Sequence, residues 1–148
     1  MRKQLKSEFM NKLIDGNDFD CFIQKMYEED PNLTVQHNVT LVGKSGSKRQ
    51  IDVLVKQKTK MTTMITIVEC KRWKQRFNRG IIDIVSATID DLNANKGVVF
   101  TTSGYEEGAI EYAKYKNIDI FLLETYLMKN GDGQEDMSNF GCNLLAPR

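Results

Sequence analysis

Apolar residues recur along the chain at two spacings, and the spacing switches more than once. Between Asn17 and Glu29, Phe19, Phe22, Ile23 and Met26 fall three and four apart, which lines one side of an α-helix. Asn17 or Asp18 can cap its start, and Pro31 with Asn32 ends it. Leu5, Phe9, Leu13 and Ile14 hint at an earlier helix. From Leu33 to Val42 the period shortens to two. Leu33, Val35, His37, Val39 and Leu41 then share one face of a strand. Gly43 to Lys48 reads as a turn. Ile51, Val53 and Val55 mark a second strand, and Met64 to Cys70 a third that is apolar on both faces, with the polar connection Lys56 to Thr63 between them. A long helical period follows in Ile81, Ile84, Val85, Thr88, Ile89 and Leu92. Gly97 to Phe100 is a short buried strand. Ser103 with Glu106 three residues on forms a capping box, predicting a helix from Ser103 to about Lys116. Ile118 to Leu123 is the last strand. The order α-β-β-β-α-β-α-β makes this an α/β (α+β) chain, with a central mixed sheet of four to five strands flanked by helices.

Length and composition narrow the picture only modestly. The 148 residues suit a single domain over 1–128 with its core at 18–123, and a polar, Gly-rich segment over 129–148 that is either a tail or an arm ordering on a partner. No apolar run approaches the ~18 residues of a membrane span, and no apolar stretch follows the basic start, so neither a span nor a leader is expected. Cys21, Cys70 and Cys142 are scattered and lack CxxC spacing. That favours a reduced, cytoplasmic protein without a structural zinc or a disulfide framework.

The charge distribution changes the picture more. Lys44 to Arg79 holds eleven basic residues against the two acids Asp52 and Glu69, a charge of +9. The rest of the chain holds ten basic against eighteen acidic residues, or −8. Such a block suits a polyanionic partner such as DNA, with Lys44, Ser45, Lys48, Arg49, Arg72, Lys74 and Arg76 as backbone contacts.

The two acids inside that block carry the chemistry. If the second and third strands form an antiparallel hairpin with its turn between Lys60 and Met61, Asp52 falls opposite Glu69, about 5 Å apart at Cβ. Lys71 projects from the same face as Glu69, two residues on. Two facing carboxylates repel unless a cation sits between them, and a hard, oxygen-seeking ion such as Mg²⁺ suits that role. A lysine beside them can orient a water or stabilise charge on phosphorus oxygens. Acid, acid and lysine around one ion are the minimal parts of a phosphodiesterase.

Gly43-Lys44-Ser45-Gly46-Ser47-Lys48-Arg49-Gln50-Ile51-Asp52-Val53-Leu54-Val55, followed by Ile67-Val68-Glu69-Cys70-Lys71-Arg72-Trp73, resembles the Mrr-type restriction endonuclease domain of the PD-(D/E)xK nuclease superfamily. Lys96-Gly97-Val98-Val99-Phe100-Thr101-Thr102-Ser103-Gly104-Tyr105 is similar to that family's later strand and helix, and the resemblance spans roughly Asp18 to Leu123. It implies a restriction-endonuclease-like fold and Mg²⁺-dependent (or Mn²⁺-dependent) cleavage of DNA. Asp52, Glu69 and Lys71 match its catalytic positions, and the backbone carbonyl of Cys70 its third metal ligand. The family often adds an acid on the first helix in a Phe-Glu pair, and here Phe19 is followed by the shorter Asp20. Because one such site cuts one strand, double-strand cleavage implies a homodimer.

Other residues have plainer readings. His37, the only histidine, falls on the apolar side of its strand and reads as a satisfied core residue. Thr101, Thr102 and Ser103 precede a predicted helix whose N–H groups could hold a phosphate. Cys70 points away from Glu69 and Lys71, which disfavours a thiol nucleophile. No GxxxxGK[ST] pattern is present, which disfavours an NTPase. Two alternatives to a restriction-type endonuclease remain: a catalytically silent nucleic-acid-binding module, and a junction-resolving nuclease.

Overall fold

The helical period at the start of the chain becomes helix α1 (Asn17–Glu28) in a computed structural model, which describes residues 17–71, 77–102, 105–125, 128–129, 135–136 and 140–144. Strands β1 (Leu33–Val42), β2 (Lys48–Lys58) and β3 (Thr63–Lys71) follow. Then come α2 (Arg79–Leu92), β4 (Lys96–Thr101), α3 (Ala109–Tyr115) and β5 (Ile118–Thr125). β1, β2 and β3 pair as an antiparallel meander. β4 and β5 join in parallel, each reached through a helix as parallel neighbours require. These five strands form the mixed sheet expected from the sequence pattern.

The segment that read as a polar tail holds more strands. β6 (Met128–Lys129) and β7 (Glu135–Asp136) pair with each other, and β8 (Phe140–Leu144) adds antiparallel to the free edge of β5. The full sheet order is β1-β2-β3-β4-β5-β8. The predicted helix near Leu5 to Ile14 lies outside the described residues. No helix among the described residues is long and apolar enough to cross a membrane.

Helix α1 lays Phe19 and Ile23 onto one sheet face against Val53, Val68, Cys70, Val98, Phe100 and Leu123. Burying each such side chain contributes about 1.5–3 kcal/mol. α2 and α3 cover the other face through Ile82, Val85, Ala109 and Ala113 against Val99, Ile118 and Ile120. α2 starts where the Asn78 side chain accepts the Ile81 N–H, and it stops at Asn93, a left-handed cap with φ of 54°. Its approach to β4 is close at Gly97, where a Cβ would lie 2.6 Å from Ile89 Cδ1 and 2.8 Å from Val85 Cγ1.

Two expectations are corrected here. The third helix begins at Ala109 rather than Ser103. Tyr105 bridges to Phe77, the Glu106 N–H donates to the Phe77 carbonyl, and Gly108 sits at φ 81°, which α-helix excludes. Thr101 is therefore the fully buried end of β4, not part of a helix N-terminus, and Ser103 lies outside the described residues.

The second correction concerns β1, which does not keep one apolar face throughout. Leu33 and Val35 pack on the α1 side, whereas Leu41 packs with Ile51, Leu54 and Ile67 against Ile89 and Leu92 of α2. The switch occurs at Asn38, whose φ is 53°. The β1–β2 ladder runs to His37↔Val53, omits Asn38 and Asp52, and resumes at Val39↔Ile51.

Candidate active site

The register that places the acids follows from the β2–β3 turn. Lys58 pairs with Thr63, and the Thr59 N–H donates to the Thr62 carbonyl, so the turn is at Lys60 and Met61. The ladder then runs through Leu54↔Ile67 to Val53↔Val68 and stops one step short of Asp52 and Glu69. At that step the Asp52 carboxylate takes the place of a ladder acceptor, its Oδ2 receiving the Cys70 N–H at 2.9 Å. The break at Asn38 makes this substitution possible, because it leaves Asp52 outside the ladders on both sides.

Glu69 and Lys71 project together from β3, with Lys71 Nζ 2.8 Å from Glu69 Oε1 and each side chain about one-fifth exposed (23% and 22%). The Glu69 carboxyl is held above its ordinary value. Burial is the main cause and the negative charge of Asp52 the next; the Lys71 hydrogen bond and charge oppose them, and Asp20 adds a smaller upward push. Its surroundings therefore favour a proton, or another cation, at Glu69.

Helix α1 supplies a third carboxylate. Asp20 follows Phe19, which is wholly buried and anchors that turn of the helix. One ligand atom each from Asp20, Asp52 and the Cys70 thiol lie within 4.8 Å of one another. Cys70 is 8% exposed, and its thiol is pushed strongly up, first by burial and then by the charges of Asp52, Asp20 and Glu69. It is thus a protonated thiol at neutral pH, unsuited to nucleophilic attack. The carboxylates of Asp20 and Asp52 offer oxygen donors that could hold a divalent cation such as Mg²⁺ or Mn²⁺, and their charges reach the Glu69 carboxyl beside them.

The basic block divides. Lys44, Lys48, Lys58 and Lys60 are exposed. Ser45 and Arg49 instead face Asp91 near the end of α2. The Ser45 N–H and Oγ donate to Asp91 Oδ1 and Oδ2, both at 2.8 Å, and Arg49 Nε donates to Oδ2 at 3.0 Å. These contacts, Ser45 before Arg49, hold the Asp91 carboxyl below its ordinary value. Gly43 is required there, since a Cβ would lie 2.0 Å from Asp91 Oδ2. Arg72, Lys74 and Arg76 lie outside the described residues. His37 Nε2 is buried without a hydrogen-bond partner, so the expected satisfied core histidine is not what this strand holds.

Sequence reasoning missed Asp91 and the approach of the Cys70 thiol to the acids. Asp91 carried no local signal, because the turn it anchors is 46 residues away in sequence. The thiol's alternation toward α1 was legible. What was not legible is that Asp20 and Asp52 reach round to that side.

Residues 12–127 match the family described as Mrr_cat, restriction endonuclease. No curated protein matches the chain. Among solved structures, the crystal structure of the protein of unknown function AF1548 superposes with a TM-score of 0.57 at 19% identity, covering 68% of this chain and 54% of that one. This chain thus spans about half the length of that neighbour, and the likeness is one of fold. The DNA modification-dependent restriction endonuclease AspBHI aligns at TM-score 0.39 and 13% identity, over 68% of this chain and 31% of its own.

Proposed function

Because the chain belongs to the Mrr-type restriction endonuclease family, we propose that it is a divalent-metal-dependent endodeoxyribonuclease centred on Asp52, Glu69 and Lys71. The observation that carries this reading is the meeting of the Asp20 and Asp52 carboxylates, whose charges also reach Glu69, next to the ion pair of Glu69 with Lys71. Asp52, Glu69, the Cys70 backbone carbonyl and Asp20 would hold Mg²⁺ or Mn²⁺. Such an ion, when bound, neutralises charge on the scissile phosphate and acidifies water.

The chain's own groups do the rest. The Cys70 N–H fixes the Asp52 carboxylate, so it does not swing when a substrate arrives. Glu69 directs the Lys71 ammonium. An ammonium has three donors, and from there Nζ orients the attacking water and faces negative charge as it develops on the phosphate oxygens. Lys44 and Lys48, with Arg72, Lys74 and Arg76 just after the catalytic lysine in sequence, receive the DNA backbone. Ser45 and Arg49 serve that surface indirectly, by holding its turn to Asp91. Cleavage of both strands by this one-strand site uses a two-fold dimer, which sedimentation of the free protein reads directly.

The test is supercoiled plasmid incubated with the protein and millimolar Mg²⁺ or Mn²⁺, beside Lys71→Ala. Nicking or linearisation by the wild type, reduced at least about 100-fold in Lys71→Ala, is expected. Cutting by Lys71→Ala at the wild-type rate overturns the mechanism. Salt-sensitive DNA binding without cleavage of plasmid, methylated plasmid or four-way junctions would make the chain a silent binding module instead.

A further inference from the structure

We infer that the Cys70 thiol is a side-chain donor of the metal centre and makes it take thiophilic divalent cations, Zn²⁺ and Cd²⁺, in competition with Mg²⁺. This rests on the metal centre proposed above and extends it to the choice of ion.

Three observations carry it. The donor atoms of Asp20, Asp52 and Cys70 lie within 4.8 Å of one another, and they come from three different elements. Ligands on one tetrahedral zinc, at bonds of about 2.0–2.3 Å, sit roughly 3.4–3.8 Å apart. Closing onto an ion therefore asks the donor atoms to draw together by about an ångström. The Asp52 carboxylate is also tied to the backbone of the thiol's own residue, whose N–H donates to its Oδ2 at 2.9 Å. Finally, the thiol is not buried among apolar groups alone, since carboxylate oxygens of Asp20 and Asp52 lie beside it.

The chemistry of the donor set decides the ion. Oxygen ligands alone suit Mg²⁺ and Mn²⁺, whereas a sulfur ligand favours Zn²⁺ and its softer relatives. Binding breaks the S–H bond and forms a sulfur–metal bond from the same electron pair. The proton leaves to water or buffer, and neither sulfur nor metal changes oxidation state. Because Asp52 serves both kinds of ion, the two compete for its carboxylate. Zn²⁺ or Cd²⁺ thus displaces Mg²⁺ and stops cleavage.

The experiment uses the full chain carrying Cys21→Ser and Cys142→Ser, which leaves Cys70 as the sole thiol. Cd²⁺ is titrated in a phosphine-reduced buffer, and the sulfur-to-cadmium charge-transfer band is followed in the ultraviolet. A band saturating at one ion per chain is expected, weakened about tenfold or more in affinity when Asp52→Asn is added. Absence of the band, or a band indifferent to Asp52→Asn, overturns the inference. Plasmid cleavage in Mg²⁺ by the same preparation separates the two proposals. Cleavage without the band removes only the thiol's role, and the band without cleavage removes only the nuclease.

Discussion

Replacing Asp52 by Asn and by Ala separates its part in the fold from its part in the reaction. Its Oδ2 accepts the part-buried Cys70 N–H at 2.9 Å, in place of the strand ladder that ends at Val53↔Val68. Alanine removes that acceptor and orphans the donor, which costs about 1–3 kcal/mol. Removing the charge also relieves its repulsion of Glu69, which offsets part of that cost. Asparagine keeps an oxygen in the same place. It exchanges a charged acceptor for a neutral one, a loss of about 1 kcal/mol, with the same relief of repulsion. For a chain of this size a kcal/mol moves the melting temperature by about 2–4 °C. Asp52→Asn should therefore melt within about 4 °C of the wild type, and Asp52→Ala several degrees below Asp52→Asn. Both should lose plasmid cleavage entirely. Thermal denaturation by circular dichroism, paired with the plasmid assay, reads both quantities. Equal melting of the two variants would refute the acceptor role, and wild-type cleavage by Asp52→Asn would refute the metal role.

Three further outcomes are expected. Glu69 binds its proton more tightly in the native state than in the unfolded chain, so the stability it lends is full below its ordinary value of 4.5 and lost as pH rises through the native one. Glu69→Gln should thus be more stable than the wild type at pH 7, with the two melting curves converging below about pH 4.5; a less stable variant at pH 7 contradicts this. Asp91 has the opposite sign, its stabilising contribution being present above its ordinary value of 3.8 and lost on acidification. Asp91→Asn should speed amide exchange at Ser45 at neutral pH, by a margin that shrinks in acid, and unchanged exchange would show that the turn is held elsewhere. Gly97→Ala drives a methyl against Val85, a stiff β-branched neighbour on a helix, and should cost about 1–3 kcal/mol. That cost should largely vanish in a Val85→Ala background, as a double-mutant cycle on denaturant unfolding would measure.

The local periods were enough to place most elements, because each buried face had one repeating pattern to satisfy. Leu33–Val42 and the apolar stripe from Ile81 to Leu92 coincide with β1 and most of α2. The β2–β3 turn also followed from pairing two acids across a hairpin, and the ladder from Lys58↔Thr63 to Val53↔Val68 keeps that register. What escaped were features set by distant contacts. An asparagine in the left-handed region at position 38 reverses the faces of two strands, and nothing in an alternating stretch announces it. The capping box at Ser103 and Glu106 was a genuine local preference, overridden by Tyr105 pairing with Phe77 and by Gly108. β8 has too weak an alternation in Phe140–Leu144 to be separated from a Gly-rich tail before β5 offers it an edge.

The β1–β2 hairpin behaves as a lever with two pins. One pin is the Asp91 carboxylate, which grips the tip at Ser45 and Arg49. The other is the reversal at Asn38, stapled by the Gln50 side chain, with Asp52 at the unpaired step across from it. A load applied to the exposed lysines of the tip is therefore borne by the end of α2. What passes along the arm arrives at the fulcrum, where Asp52 sits. On the proposed reading, contact of DNA with the tip and the placement of the acid would share a single stretch of backbone.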